Sequence, residues 1–155
     1  MEYNRIEKII GFKFADKKLL MTAFTTPAFA NQMSNNGQEI ESGDRLEFLG
    51  DGVLKYILTY RLYMSGHKTA GEMTEERQGY ERYEAHAAAV DKMGLAKFMR
   101  LVDKQKVSDK MKCDLFEAIV AAIFLDKRGG LREVDRFVER ALGLPKIEKI
   151  KRNTK

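Results

Sequence analysis

The sequence predicts an all-α protein, and three observations carry that prediction. Apolar residues recur at the three-and-four spacing of a helix in one segment after another. No stretch alternates apolar and polar residues as a half-buried strand would. The breaks between periodic segments fall at glycine, proline and asparagine, the residues that end helices and start turns. A chain of 155 residues is close to the usual size of one domain, and no internal repeat or second-domain boundary is visible.

In chain order, Arg5 to Gly11 reads as a short first helix ending at glycine. Asp16 is placed to cap a second helix through Leu19, Leu20, Ala23 and Phe24. Thr25 to Gly43 is rich in Asn, Gly and Ser around Pro27 and reads as a loop. A long helix follows from about Asp44 to Met64, with a break over Ser65 to Gly71. Thr74 to Met93 reads as one further long helix, polar early and alanine-rich late. Gly94 leads to a brief helix around Ala96 to Leu101. Ser108 to Leu125 is a very apolar helix, and Gly129-Gly130 separates it from a last one, Leu131 to Leu142. Residues 1–144 are assigned to the domain, and residues 145–155 to a lysine-rich tail beginning at Pro145.

Composition narrows the function classes. Cys113 is the single cysteine, so an internal disulfide is excluded. One cysteine beside His67 and His86 also falls short of the four N/S ligands of a closed structural zinc site. The first ten residues carry charges where a secretory signal needs an apolar run, and no run is long enough to cross a bilayer. A cytoplasmic protein with no membrane partner is expected. The formal charge of +5 suits a polyanionic partner without identifying one.

Two helices carry acids in line with apolar stripes. Glu47 and Asp51 are four residues apart, and their face continues through Leu54 and Leu58. Asp114 and Glu117, three apart, line up with Ala121 and Leu125. Burying four carboxylates without partners would cost several kcal/mol each. Paired Arg or Lys would resolve that as a structural ion network, and hard divalent cations such as Mg2+, which take oxygen ligands, would resolve it as a metal site. Periodicity leaves both open.

The residues themselves say more. Asp44-Arg45-Leu46-Glu47-Phe48-Leu49-Gly50-Asp51 resembles the signature block of ribonuclease III, E-R-L-E-F-L-G-D. Asp114-Leu115-Phe116-Glu117-Ala118, with Ala122 to Asp126, resembles the family's second block, D-x-F-E-A followed by a stretch like G-A-I-Y-L-D. Upstream, Leu19-Leu20 to Asn31 is similar to its L-L-x-x-A-x-T-H-P-S-Y-A-N, and Glu72-Met73-Thr74 with Arg77 to its E-L-T-x-x-R helix. The resemblance runs in order from about residue 5 to Leu144.

What this resemblance implies is an all-helical endonuclease domain that cuts double-stranded RNA as a homodimer, with one cutting centre per subunit. Glu47, Asp51, Asp114 and Glu117 match the family's four catalytic carboxylates. Glu47, Asp114 and Glu117 are expected as direct ligands of Mg2+, for which Mn2+ can substitute. Asp51 is expected as a further ligand or as the group that orients the attacking water, and Asp51 and Glu117 as catalytic residues. Phe48 matches an aromatic that enters a socket on the partner subunit, against the plainer reading of a core Phe. Lys110 and Lys112, just before Asp114, are candidate phosphate contacts, as is the tail with Lys146, Lys149, Lys151, Arg152 and Lys155.

The sequence departs from the family's pattern at Asp44 for Glu, Gly52 for Ser and Thr26 for His, none of them among the four acids. Bacterial members usually carry a double-stranded-RNA-binding domain after the nuclease domain, and the sequence reaches Lys155 without one. The expected sources of RNA affinity are therefore the nuclease domain or an accessory RNA-binding protein or domain. The rival expectation is a non-catalytic module of the same fold that binds RNA or dimerises. A di-iron bundle is set aside, because neither His67 nor His86 has a Glu three residues before it.

Overall fold

The computed structural model describes residues 2–66 and 68–147. His67 and the tail candidates Lys149, Lys151, Arg152 and Lys155 lie outside the described residues. The described chain is helical, in the order α1 (Glu2–Ile10), α2 (Lys17–Ala23), α3 (Pro27–Asn35), α4 (Asp44–Met64), α5 (Ala70–Glu81), α6 (Tyr83–Met93), α7 (Asp109–Leu125) and α8 (Leu131–Leu142), with a 3-10 turn at Ala96–Phe98. Among the described residues the only β-type pairing is an isolated bridge between Thr25 and Arg100. No described helix is long and apolar enough to cross a membrane.

The most apolar segment sits at the centre. Helix α7 buries Leu115, Phe116, Ala118, Ile119, Val120, Ala121, Ala122 and Ile123, residues on every side of its axis, so it is surrounded by other helices. It packs most extensively on α4, then on α6, with α8 and α2 completing its cover. The cap residues stand where the chemistry of a helix start needs them. Asp16 accepts from the backbone N–H groups of Lys18 and Leu19, and Ser108 accepts from Met111. Two buried charges tie the layers together. Arg61 on α4 donates to Asp135 and Glu139 on α8 and to the carbonyl of Pro145. Asp126, just past α7, accepts the backbone N–H groups of Ala15, Asp16 and Arg128.

Two expectations from the sequence are corrected. Thr25 to Gly43 is not all loop: α3 occupies its first half, with Thr26 as N-cap and Pro27 in the first turn. The single helix expected from Thr74 to Met93 is two, divided at Arg82, whose backbone is extended (φ −63°, ψ 135°). Helix α5 starts earlier than expected, at a capping box formed by Thr69 and Glu72. The division follows from packing: α5 buries no residue, whereas α6 buries His86, Ala87, Ala89 and Val90 against α7.

Candidate metal centre

Helices α4 and α7 cross at Gly50. A Cβ on Gly50 would stand 1.8 Å from the carbonyl oxygen of Glu117, so the two backbones meet at a distance only glycine permits. One turn before Gly50 on α4 lies Glu47, and on α7 lie Asp114 and Glu117. At this crossing one carboxylate oxygen from each of Glu47, Asp114 and Glu117 lies within 4.8 Å of the other two. The structure thus brings together three of the four acids singled out in the sequence.

Asp51 stands apart. It is exposed and does not belong to the converging set. Leu54 and Leu58 are buried as the stripe requires, but the buried side of α4 runs through Leu46, Gly50, Val53 and Ile57. At about 100° per residue that axis passes closer to Glu47 than to Asp51, which is left facing solvent.

Lys110 reaches the triad from one turn earlier on α7. Its ammonium donates to Asp114 Oδ1 at 2.7 Å and lies 3.9 Å from Glu47. Its side chain remains 75% exposed. Lys112 points elsewhere: it is 16% exposed and pairs with Asp91 and Asp109. Burial, then the charges of Asp114 and Glu117, hold the Glu47 carboxyl above the ordinary carboxylate range, with Lys110 opposing them. The hydrogen bond to Asp114 raises Lys110 in turn.

Behind Glu117 lies a second group that the sequence did not single out. His86 Nδ1 is 3.5 Å from Glu117 Oε1 and 3.4 Å from Cys113 Sγ. The Cys113 thiol donates to the same Glu117 oxygen at 3.6 Å. Burial, and then Glu117, push the Cys113 thiol up to about 12. The only sequence signal for this neighbourhood is the i,i+4 spacing of Cys113 and Glu117. The part played by His86 depends on where α6 packs.

Phe48 is 85% exposed, so it is not part of this chain's core. It borders an open cleft of about 650 Å3 whose walls include Leu19, Leu46, Leu49 and Leu125.

Fold and site together define an all-helical domain with a carboxylate cluster built across its two central helices. The ribonuclease III domain family matches residues 44–128, more than half of the sequence and both acid-bearing helices, and the chain belongs to that family. Among curated relatives it is similar to Ribonuclease 3 of Streptococcus uberis, 34% identical over 150 residues, covering 93% of this chain and 63% of that protein. It is also similar to Ribonuclease 3 of Clostridium perfringens, 30% identical over 141 residues, covering 87% of this chain and 57% of that protein. The chain thus spans about three fifths of the length of such relatives. In fold it is similar to the nuclease domain of ribonuclease III from Campylobacter jejuni, with a TM-score of 0.77 at 24% identity, covering 94% of this chain and 97% of that one.

Proposed function

We propose that this domain is a metal-dependent endoribonuclease that hydrolyses phosphodiester bonds of double-stranded RNA as a homodimer, with one cutting centre per subunit. The observation that carries the proposal is the convergence of Glu47, Asp114 and Glu117 at the crossing of α4 and α7. Three carboxylates face one ammonium there, that of Lys110. Three negative charges against one positive leave an excess of two, which a divalent cation matches. The donors are all hard oxygens, the set that suits Mg2+, or Mn2+ in its place. The nuclease names of the relatives support the same chemistry.

When bound, such an ion supplies a more acidic water and neutralises charge at phosphorus. Glu47, Asp114 and Glu117 hold it, and Gly50 keeps the two helices close enough for them to do so. Asp51, exposed one helical turn after Glu47 on α4, is suited to accept a hydrogen bond from the attacking water and orient it. The Lys110 ammonium, which donates to Asp114 and whose side chain is 75% exposed, is suited to meet a phosphate oxygen as well. Lys112, held by two aspartates, is the weaker of the two candidate phosphate contacts.

Phe48 supports the homodimer. A Phe exposed at the edge of an open cleft that Leu19, Leu46, Leu49 and Leu125 line together with charged residues such as Asp44 and Arg45 suits an isologous contact, in which each aromatic enters the other subunit's cleft. Residues 1–144 are assigned to the endonuclease domain and 145–155 to a basic tail. An accessory RNA-binding protein or domain would add affinity. The described helices, none able to cross a membrane, fit action in the cytoplasm.

The test is Glu117→Gln, which removes a charged oxygen ligand and keeps the shape. Cleavage of long duplex RNA in Mg2+ is expected to be lost nearly completely, with the dimer and RNA affinity retained. A mutant cutting within a few-fold of wild type would remove Glu117 from the metal site. A wild-type protein that binds duplex RNA and never cuts it would return the domain to the non-catalytic reading.

A further inference from the structure

We propose that the domain carries a second cation site, for Zn2+, formed by His86, Cys113 and Glu117 and sharing Glu117 with the carboxylate triad. The donor atoms Nδ1, Sγ and Oε1 form a triangle with edges of 3.4, 3.5 and 3.6 Å. Bond lengths of about 2.3 Å to sulfur and 2.0–2.2 Å to nitrogen and oxygen give tetrahedral edges of roughly 3.3–3.6 Å. One face of a zinc tetrahedron is thus already laid out by these three side chains.

His86 is prepared for the role. Its Nε2 lies 2.8 Å from the carbonyl oxygen of Tyr80, which can only accept, so Nε2 carries the hydrogen. In the neutral ring, Nδ1 then presents its lone pair to Cys113 and Glu117. A ligating histidine whose other nitrogen is anchored on a carbonyl is the arrangement that metal sites use to fix the ring. The ring is 1% exposed and stacks on Phe116 with centroids 4.9 Å apart, so packing holds it in that orientation. Cys113 and Glu117 come from one face of α7, four residues apart.

Donor chemistry separates the two sites. Thiolate and imidazole favour zinc, and the all-oxygen triad favours Mg2+. Binding replaces the S–H bond of Cys113 with a Zn–S bond, and the thiol proton leaves to solvent. The three protein donors leave a fourth position for water, the pattern of an open site. The sequence arithmetic that excludes a closed four-ligand zinc site does not bear on it. Glu117 cannot serve both ions in full, so zinc draws it away from the triad. That last consequence rests on the nuclease reading; the binding itself does not.

Co2+ is the probe, added to the metal-free full chain. The expected result is the strong visible spectrum of a four-coordinate ion with a near-ultraviolet thiolate charge-transfer band, saturating at one per chain and bleached by Zn2+. Cys113→Ser should lose the thiolate band. His86→Asn should weaken zinc binding by at least the ~10–100-fold that loss of a mere supporting group costs a metal site. Circular dichroism checks that both variants fold, and the wild-type cobalt spectrum decides alone if they do not. A pale six-coordinate spectrum without the thiolate band overturns the site, as does zinc affinity within a few-fold of wild type in both folded variants. Cleavage in Mg2+ without zinc is measured separately. A protein that cuts but gives no thiolate band loses the zinc site alone, and one that gives the band but never cuts loses the nuclease reading alone.

Discussion

The carboxylate of Asp126 accepts three backbone N–H groups, two from the loop before α2 and one from the turn after α7. Burial by itself would raise its pKa; the bonds from Asp16, Arg128 and Ala15 outweigh that and lower it. A carboxylate with a lowered folded-state pKa contributes stability that is fully present above its ordinary value. The contribution is lost as pH falls through the lowered value. Asp126→Asn keeps the volume but offers one accepting oxygen in place of two. Denaturant unfolding at neutral pH should show a loss of about 1–3 kcal/mol, the range for a buried donor left unmatched. The difference from wild type should shrink in acid, where the native carboxyl is itself protonated. A gap that stays constant from neutral pH down into acid would show that the N–H groups are satisfied some other way.

Two glycines on α4 make opposite demands. Gly50 faces α7, and a methyl there would overlap the Glu117 carbonyl. Gly50→Ala must therefore push the helices apart. The expected destabilisation is at least the ~1–3 kcal/mol of ordinary overpacking, since the clash is with backbone that no rotamer can relieve. Mg2+ affinity should fall with it, because Glu47 moves away from Asp114 and Glu117. Gly52 is exposed, and a Cβ there meets nothing within 4 Å. Gly52→Ala should instead raise stability by about 0.5–1 kcal/mol through backbone entropy. Thermal unfolding of the two variants side by side checks both signs. Equal effects would mean that the helix crossing tolerates spreading.

At the scale of the molecule, the proposed homodimer is tested at the exposed Phe48. Two strands of a duplex run antiparallel, so a two-fold dimer offers each strand an equivalent centre. If the partner's cleft buries Phe48, truncation to Ala should cost about 3–5 kcal/mol at the contact, raising the dimer dissociation constant by hundreds of fold or more. Phe48→Ala should then be monomeric at micromolar concentration and keep its helical circular-dichroism signal, because the side chain contributes little to its own chain's core. Sedimentation across a concentration series is the measurement. A dimer undiminished through that series rules the interface role out.

The sequence by itself determined the fold class and the helices α4, α7 and α8, because helical periodicity and caps such as Ser108 are local properties. It also placed Phe48 and four acids in blocks that resemble one family's signature, and the family's model matches the stretch that holds them. Some misses were local signals outweighed by composition: Thr26-Pro27 is a fair helix start, hidden by the asparagines that follow it. Others had no local signal. The break at Arg82 exists because α6 has a face to bury on α7 and α5 has none. Asp51 shares a stripe with Leu54 and Leu58, yet it faces solvent, because the neighbours of α4 set the axis of its buried face. The meeting of His86 with Cys113, across 27 residues, was likewise decided by tertiary packing. Periodicity states which residues share a face, and only the packing of one helix on another states what that face meets.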